Sequence, residues 1–277
     1  MRHTLAVLTA AALLASAADA VAAGWTQPTG GLYLKLWERS LVGTNAYLAD
    51  GSAGEVPETY LDQALNVYLE YGLTDALTLV AFGAPVGYAA YGDEGAVYVG
   101  PLAAGLRYGL PLGRARVAVE AHYGYAPDVG TDSLGSGVVD GEPFAYVPAV
   151  ETHRVEGELQ LGVPLSFGWT AASAGYRWLS HDDLDPVLYG FAQLGWQASA
   201  AWVLDLHFNL HEPSGVDIEA TNVAGVGQTR YLGFGVGASW WFAQQWALAL
   251  GFEGVAYAQS NAATPTLTVG VEYSSTR

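Results

Sequence analysis

The chain has 277 residues, enough for one large β domain or two small ones, and no cysteine, which excludes disulfides, zinc-thiolate sites and a cysteine nucleophile. Charged residues make up only 13% of it while glycine (35 residues) and aromatics (12%) are abundant, a mix that ordinary soluble enzymes do not have. Ten Lys and Arg against 27 Asp and Glu give a net charge of −17, which argues against nucleic-acid binding because that requires a basic surface.

The N-terminal 23 residues have the three parts of a secretory signal peptide. A short positive start with Arg2 precedes an apolar core at residues 5–15, and small residues follow. Cleavage after Ala20 or after Ala23 satisfies the small-residue rule, and we favour Ala23, which makes residues 1–23 the signal peptide. An uncleaved membrane anchor is the less favoured alternative because the apolar core is short.

The rest of the chain is dominated by apolar side chains at every second position, which is the pattern of a β-strand. Within residues 154–165, for example, Leu159 and Leu161 alternate with Glu158 and Gln160. No run of about 18 or more apolar residues follows the N-terminus, so no second membrane helix is predicted. Twelve strands are predicted, at residues 31–41, 59–71, 76–88, 97–110, 115–126, 151–165, 169–180, 187–198, 202–212, 229–242, 246–258 and 265–275.

The predicted connections alternate in length, being tight after the even-numbered strands and long after the odd ones, chiefly at 42–58, 127–150 and 213–228. Short periplasmic turns and long outer loops are the organisation of bacterial outer-membrane barrels. We therefore predict an all-β fold: a transmembrane antiparallel up-and-down β-barrel of twelve strands, preceded by the signal peptide, that fills residues 24–277 and lies in the cell outer membrane. Its expected partners are outer-membrane lipid, lipopolysaccharide and the barrel-assembly machinery.

Aromatic side chains on the apolar face fall at the two ends of the predicted strands, as in the girdles that mark membrane interfaces. At the short-turn end these are Tyr71, Tyr108, Trp169, Trp196, Trp202, Trp240, Trp246 and Tyr273. At the long-loop end they are Tyr98, Tyr123, Tyr125 and Trp178. Aromatic residues favour β-strands in general, which explains how many there are. It does not explain why they lie on the apolar face and at the two ends of the strands.

The polar faces of the same strands are predicted to line a lumen. The side chains expected there are Lys35, Arg39, Asp62, Glu70, Arg107, Arg116, Glu120, Arg154, Glu156, Glu158, Arg177, Asp205, His207, His211 and Glu253. Their mixed signs allow two interpretations, in which neighbouring Arg and Glu stabilise a narrow lumen or the charges form a polar transport path. The excess acid falls mostly in the long loops, where solvation or bridging to lipopolysaccharide through divalent cations accounts for it.

Three features bear on how open the lumen is. Gly233, Gly235 and Gly237 leave one wall nearly bare, which predicts space for a solute or an inward-folded loop, unless the glycines merely ease barrel curvature. The loop at 127–150, rich in glycine and aspartate, is predicted to form a constriction. Only a few residues of the mature chain precede the first strand, so no N-terminal plug domain is expected.

A catalytic or metal site is not predicted. Asp205, His207 and His211 share one strand face, which makes a barrel hydrolase conceivable, but no serine nucleophile lies on that face. Residues four apart on a strand are about 13 Å apart, so His207 and His211 are poorly placed to share a metal ion. We therefore predict no catalytic residues, no cofactor and no metal, and we do not expect an enzyme.

Two stretches, residues 24–36 (GWTQPTGGLYLKL) and 68–79 (YLEYGLTDALTL), resemble a family of outer-membrane barrels, the phenol-degradation meta-pathway transporters, which are distantly similar to long-chain fatty-acid transporters. The resemblance implies an outer-membrane channel, with aromatic or apolar compounds among its solutes, and it carries no established catalytic residues. Two departures stand out. Outer-membrane barrels usually end on an aromatic residue, whereas here Tyr273 is followed by four more residues, and no N-terminal hatch is expected.

Three hypotheses for function follow. The favoured one is a channel or uptake protein for a small-molecule solute. The alternatives are a structural barrel whose lumen is plugged by side chains and, least favoured, an outer-membrane hydrolase.

Overall fold

The computed structural model describes residues 24–215, 218 and 220–276, so the predicted signal peptide lies outside the described residues. No helix long and apolar enough to cross a membrane is found in this part of the chain. The strands, in chain order, are β1 (Leu32–Tyr47), β2 (Ala53–Thr74), β3 (Leu77–Tyr91), β4 (Glu94–Tyr98), β5 (Leu102–Leu112), β6 (Ala115–Ala126), β7 (Gly135–Val139), β8 (Glu142–Tyr146), β9 (Thr152–Leu165), β10 (Gly168–Leu179), β11 (Val187–Gln197), β12 (Trp202–Pro213), β13 (Thr221–Asn222), β14 (Arg230–Trp241), β15 (Trp246–Gln259), β16 (Asn261–Ala262) and β17 (Thr266–Ser274).

Twelve of these strands form one closed antiparallel barrel, which confirms the predicted fold. Each barrel strand pairs with the next barrel strand along the chain, and β1 closes the cylinder by pairing with β2 on one side and β17 on the other. We call the pairing of β1 with β17 the seam. Lys35 lies there, opposite Glu272 of β17 on one side and Tyr68 of β2 on the other. The short strands β4, β7, β8, β13 and β16 belong to the outer loops.

The predicted strands match the observed ones closely except in the first hairpin and at the start of the fourth predicted strand (97–110), whose first two residues belong to β4 while β5 begins at Leu102. The segment 42–58, expected to be a long loop, is mostly strand, because β1 runs to Tyr47 and β2 begins at Ala53. A register shift between Gly43 and Asn45 interrupts the pairing at the level where the apolar alternation stops. Beyond the part that faces lipid, the two strands stay hydrogen-bonded through their backbones, but their side chains no longer alternate between apolar and polar. The sequence pattern therefore does not reveal this part of the strands.

A belt of large apolar side chains covers the outside of the barrel. Leu159 is 62% exposed, Leu250 58% and Val269 55%, although all three lie within long barrel strands. Such a surface is unfavourable in water and matches the apolar band that a transmembrane barrel turns toward lipid. The protein is therefore located in the outer membrane, with this belt in the bilayer.

Eight of the twelve aromatic residues predicted for the girdles are exposed on the outer face and Tyr125 and Tyr273 are half-buried, but two are buried. Trp169 and Tyr98 lie inside the barrel and are each only 4% exposed. Trp169 lies opposite Gly195 of β11, whose missing side chain leaves room for the indole ring. The Tyr98 hydroxyl donates to the carboxylate of Asp62 at 3.1 Å. Assigning these two rings to the girdles was wrong because each has a partner inside the barrel that is distant in sequence.

The largest apolar core lies at the outer mouth of the barrel. Strands β7, β8 and β13 form a small separate sheet, which we call the roof, and its side chains pack against the hairpins β1–β2 and β3–β4. The rings of Tyr60, Tyr91, Phe144 and Tyr146 are buried there, with centroids between 6.0 and 6.2 Å apart. Most of the roof is formed by the loop at 127–150 that was predicted to be a constriction.

Replacing Leu159 with Arg should destabilise the barrel by about 2–4 kcal/mol, because a charge in the lipid-facing belt must leave water. The matched control is Val138→Arg, which changes an equally exposed side chain (65%) in β7, outside the belt. Guanidinium-induced unfolding in lipid vesicles, followed by tryptophan fluorescence, measures both. Equal losses of stability in the two variants would contradict the assignment of the belt to lipid.

Candidate functional site

A dense polar network surrounds Arg107, toward the short-turn end of β5. The guanidinium pairs with Glu70 (2.5 Å) and with Glu120, and it donates to the hydroxyl of Tyr68 (2.8 Å). The side chain of Gln160 donates to Glu120 from β9 (3.0 Å). The network thus joins β2, β5, β6 and β9 along one wall of the lumen. Because its members are nearly excluded from water, they stabilise the wall only while each charge keeps its partner.

Residues 24–31, which we call the strap, lie along this wall at the inner mouth of the barrel. The backbone N–H of Gly24 donates to the side chain of Gln160 (3.0 Å), and the carbonyl of Trp25 accepts a hydrogen bond from Arg107 (3.1 Å). The strap is an eight-residue segment that runs from β9 to β2 in contact with the polar network, and the expectation that no N-terminal plug domain is present stays a prediction.

The Trp25 side chain fixes the strap against β9 and β10. Its ring packs with Trp169 and Ala171, and it is only 7% exposed. Gly162 of β9 has no side chain at the place where this ring lies, since a Cβ there would come within 1.8 Å of it. A larger residue at Gly162 would therefore displace the strap.

The other part of the strap is held by Asp75, in the turn between β2 and β3. The backbone N–H and the hydroxyl of Thr29 donate to the Asp75 carboxylate, at 2.9 and 2.8 Å. These hydrogen bonds lower the pKa of the exposed Asp75 carboxyl. Because the pKa is lowered, the carboxylate is ionised and the contact is intact at any pH above the ordinary carboxyl pKa of about 3.9. The contact is lost only when the pH falls through the lowered pKa. The strap therefore stays attached at neutral and mildly acidic pH.

The lumen between strap and roof holds two cavities. The inner cavity has a volume of about 680 Å³ and a mixed lining with many charged side chains, and the outer cavity, next to the roof, has about 290 Å³ and a largely apolar lining. Asn66, Arg177 and His211 line both. The two cavities therefore meet at one level of the barrel, and the lumen is not filled by its own side chains.

All but one of the predicted lumen residues line these cavities. The inner cavity is lined by Lys35, Glu70, Arg107, Glu120, Glu156, Glu158, Arg177, Asp205, His207, His211 and Glu253. The outer cavity is lined by Arg39, Asp62 and Arg154, and again by Arg177 and His211. Arg116 lines neither, because it lies at the short-turn end of β6, opposite Pro111 and Gly162.

Two of the three β14 glycines do not leave the bare wall that the sequence predicts, while a Cβ at Gly233 would meet only ordinary contacts of 3.6 Å or more. Gly235 and Gly237 lie opposite His207 and Asp205 of β12. A Cβ at Gly235 would come within 2.3 Å of the His207 ring, and one at Gly237 within 2.1 Å of the Asp205 carboxylate. The space beside each glycine is already filled by a polar side chain across the strand pair, so these glycines position charged groups rather than provide room for a solute.

Asp205 and His207 are in contact, but not in the arrangement of a hydrolase. Nδ1 of His207 lies 2.8 Å from Asp205, and Nε2 lies 3.5 Å from Glu253. Both ring nitrogens face carboxylates, so neither is available to take a proton from a nucleophile. His211 lies apart from this group and stacks on Tyr231 with ring centroids 5.2 Å apart.

The predicted set of lumen residues did not include the uncharged polar partners. Tyr68 and Gln160 belong to the Arg107 network, and the ring of Tyr189 lies 5.0 Å from the guanidinium of Arg177. The alternation does place Tyr68 and Gln160 on the polar faces of their strands, since each lies two residues from a predicted lumen carboxylate. No comparable signal marks the strap, because its residues belong to no strand.

Replacing Arg107 with Gln should lower the stability of the barrel by about 3–5 kcal/mol, because Glu70 and Glu120 would remain buried without a cation. The matched control is Arg114→Gln, in the exposed turn between β5 and β6. Unfolding in lipid vesicles measures both variants. If Arg107→Gln cost no more than the control, the network would not be what holds this wall together.

Replacing Asp75 with Ala should loosen the strap, because Thr29 loses its acceptor. The chain has no cysteine, so Gln27→Cys provides a single labelling site that is 4% exposed when the strap is in place. In that background, Asp75→Ala should speed maleimide labelling several-fold, whereas Asp93→Ala, in the hairpin between β3 and β4, should leave the rate unchanged. Equal labelling rates in all three proteins would show that Asp75 does not anchor the strap.

Comparison with known proteins gives fold neighbours but no sequence family. No protein-family model matches the chain, and no curated protein matches it. Among solved structures, an outer-membrane channel from Pseudomonas putida F1 is 14% identical with a TM-score of 0.66, over 91% of this chain and 97% of that one. The NanC porin is 7% identical with a TM-score of 0.52, over 87% of this chain and 98% of the other. At these identities the similarity is one of barrel fold.

Proposed function

We propose that the protein is an outer-membrane channel or uptake protein for small solutes, with aromatic or apolar compounds among them. The observation that carries this proposal is the pair of cavities, of about 680 and 290 Å³, that meet at Asn66, Arg177 and His211. Cavities of this size are typical of small-molecule sites. A structural barrel with a side-chain-plugged lumen would not retain such space.

Each end of this path carries a segment that is not part of the barrel strands, which favours a gated channel over an open pore. At the inner end the strap is held by hydrogen bonds to Asp75 and to the Arg107 network. At the outer end the roof is attached to the barrel wall by the hydroxyl of Tyr146, which donates to the carbonyl of Leu61 at 2.7 Å. Movement of either segment would widen the path of a solute.

Support for aromatic or apolar solutes comes from the chain itself and from its resemblance. Residues 24–36 and 68–79 resemble the phenol-degradation meta-pathway transporters. The rings of Phe82, Tyr189 and Phe191 line the inner cavity, where they offer flat apolar surface beside the polar groups. The neighbours of the same fold are an outer-membrane channel and a porin, which fits a transport role. The hydrolase alternative has no such support, because His207 lacks a nucleophile partner.

The proposal includes a processing step and three kinds of partner. Residues 1–23 would be removed as a signal peptide, leaving residues 24–277 as one barrel domain. The barrel-assembly machinery would insert the domain, and the apolar belt would then contact outer-membrane lipid. Exposed acidic side chains of the outer loops, such as Asp93, Asp128 and Asp132, could bind lipopolysaccharide through divalent cations.

Planar-bilayer recordings of the purified protein test the channel. The wild type should give steady single-channel steps, and deletion of residues 130–145 should enlarge them, because most of the roof next to the outer cavity is removed. Arg114→Gln, in the exposed turn at the opposite end, should conduct like the wild type. A heat-modifiable gel shift confirms that each protein is a folded barrel. Folded wild-type and deletion proteins that both fail to conduct would leave the plugged structural barrel as the explanation.

A further inference from the structure

The two cavities of the lumen carry opposite excess charge. Three arginines line the outer cavity against a single carboxylate, Asp62. Six carboxylates line the inner cavity against one lysine and two arginines. A charged solute in this lumen therefore meets two different environments, and the positive one is the smaller, more apolar chamber next to the roof.

One of the three arginines of the outer cavity is already neutralised. A terminal nitrogen of Arg39 lies 2.5 Å from an oxygen of Asp62. The same carboxylate accepts hydrogen bonds from the hydroxyl of Tyr98 at 3.1 and 3.2 Å. Arg39 and Asp62 thus form a complete pair, and the excess positive charge belongs to Arg154 and Arg177.

Arg154 and Arg177 share one carboxylate. Glu156 lies 2.9 Å from Nε of Arg154 through one oxygen and 3.2 Å from a terminal nitrogen of Arg177 through the other. Within the part of the chain that the structure describes, no second carboxylate forms an ion pair with either arginine. The Nε atom of Arg177 is buried and makes no hydrogen bond to a described residue, whereas the Nε atom of Arg154 is buried in ionic contact with Glu156 without the alignment of a hydrogen bond. Two largely buried guanidinium groups that share one carboxylate can accept a further anion.

The rest of the outer cavity is apolar and small. Its wall includes Ala64, Ala126, Val150 and Leu179. Its volume of about 290 Å³ lies at the lower end of the range of small-molecule pockets, about 300–1,000 Å³. A cavity of this size can hold one aromatic ring or a short alkyl chain. Burial of such a group against the apolar wall is favourable.

We propose that the outer cavity binds a small amphiphilic monoanion, a carboxylate attached to an apolar body such as a single aromatic ring. The carboxylate would lie between Arg154 and Arg177, because a guanidinium group pairs with a carboxylate through two parallel hydrogen bonds. This inference rests on the proposed function and names the class of solute that the path would hold. The inner cavity carries excess negative charge and repels an anion. The solute anion therefore binds in the outer cavity rather than in the inner one.

Equilibrium dialysis of radiolabelled benzoate against the full-length barrel in a non-ionic detergent tests the site. Benzoate should bind saturably. Unlabelled benzamide, which has the same shape without the charge, and benzylammonium, which has the opposite charge, should compete at least about tenfold more weakly than unlabelled benzoate. Competition by either compound at the strength of benzoate would overturn the proposal, and this comparison needs no variant.

Variants locate the site. Arg154→Gln and Arg177→Gln should each weaken benzoate binding by at least about tenfold, and Arg154→Lys, which keeps the charge, should bind more tightly than Arg154→Gln. Arg114→Gln, in the exposed turn at the inner end, should bind like the wild type. A heat-modifiable gel shift shows which variants are folded. Folded Arg154→Gln and Arg177→Gln proteins that bind benzoate as the wild type does would overturn the assignment.

Dialysis requires no ion flow, so failure of the site and failure of the channel are distinguishable. Benzoate binding by a protein that gives no conductance steps would overturn the channel and leave the anion site. Conductance by a protein that binds no benzoate would overturn the anion site and leave the channel.

Discussion

Charge pairing inside an apolar cylinder is the constraint on which the rest of this structure depends. Because the outer belt faces lipid, the charged side chains of the membrane-spanning strands lie mostly on the inner face, where they are stable only with partners. Glu38 of β1 is an exception, since it lies opposite Leu65 and Val269 of the outer belt. Around Arg107 one guanidinium pairs with two carboxylates and with the backbone of the strap. Among the described residues, Arg154 and Arg177 instead share the single carboxylate of Glu156, and this arrangement is for that reason informative about a ligand.

The barrel could be predicted from the sequence because alternation is a local property of each strand. It placed the twelve strands and nearly all the charged lumen residues in the right positions. It failed where the outcome depends on residues far apart in the chain. Trp169 lies inside the barrel because of Gly195 and Trp25, and two of the three β14 glycines are covered because of the β12 side chains opposite them. The length of the first hairpin was not predicted, because the backbone pairing of β1 and β2 continues beyond the residues that alternate between apolar and polar.

The strap and the roof lie at opposite ends of the lumen and differ in the chemistry of their attachment. The strap is attached mainly by hydrogen bonds to Asp75, Gln160 and Arg107, so polar competitors and pH act on it. The roof is attached mainly by packing of buried aromatic rings around Tyr146. Because apolar packing and polar contacts respond to different ligands and solvents, different conditions act on the two attachments.

The position of the strap also relates it to the assembly of the barrel. The hydrogen bond from Gly24 to Gln160 joins residues 136 apart in sequence, and contacts of such separation carry a cost in loop-closure entropy. The strap continues directly into β1, and strands β2, β3, β5 and β6 lie between β1 and β9 in the sheet. The strap can therefore contact β9 only once these strands have curved toward each other, so the hydrogen bond of Gly24 distinguishes a curved sheet from a flat one.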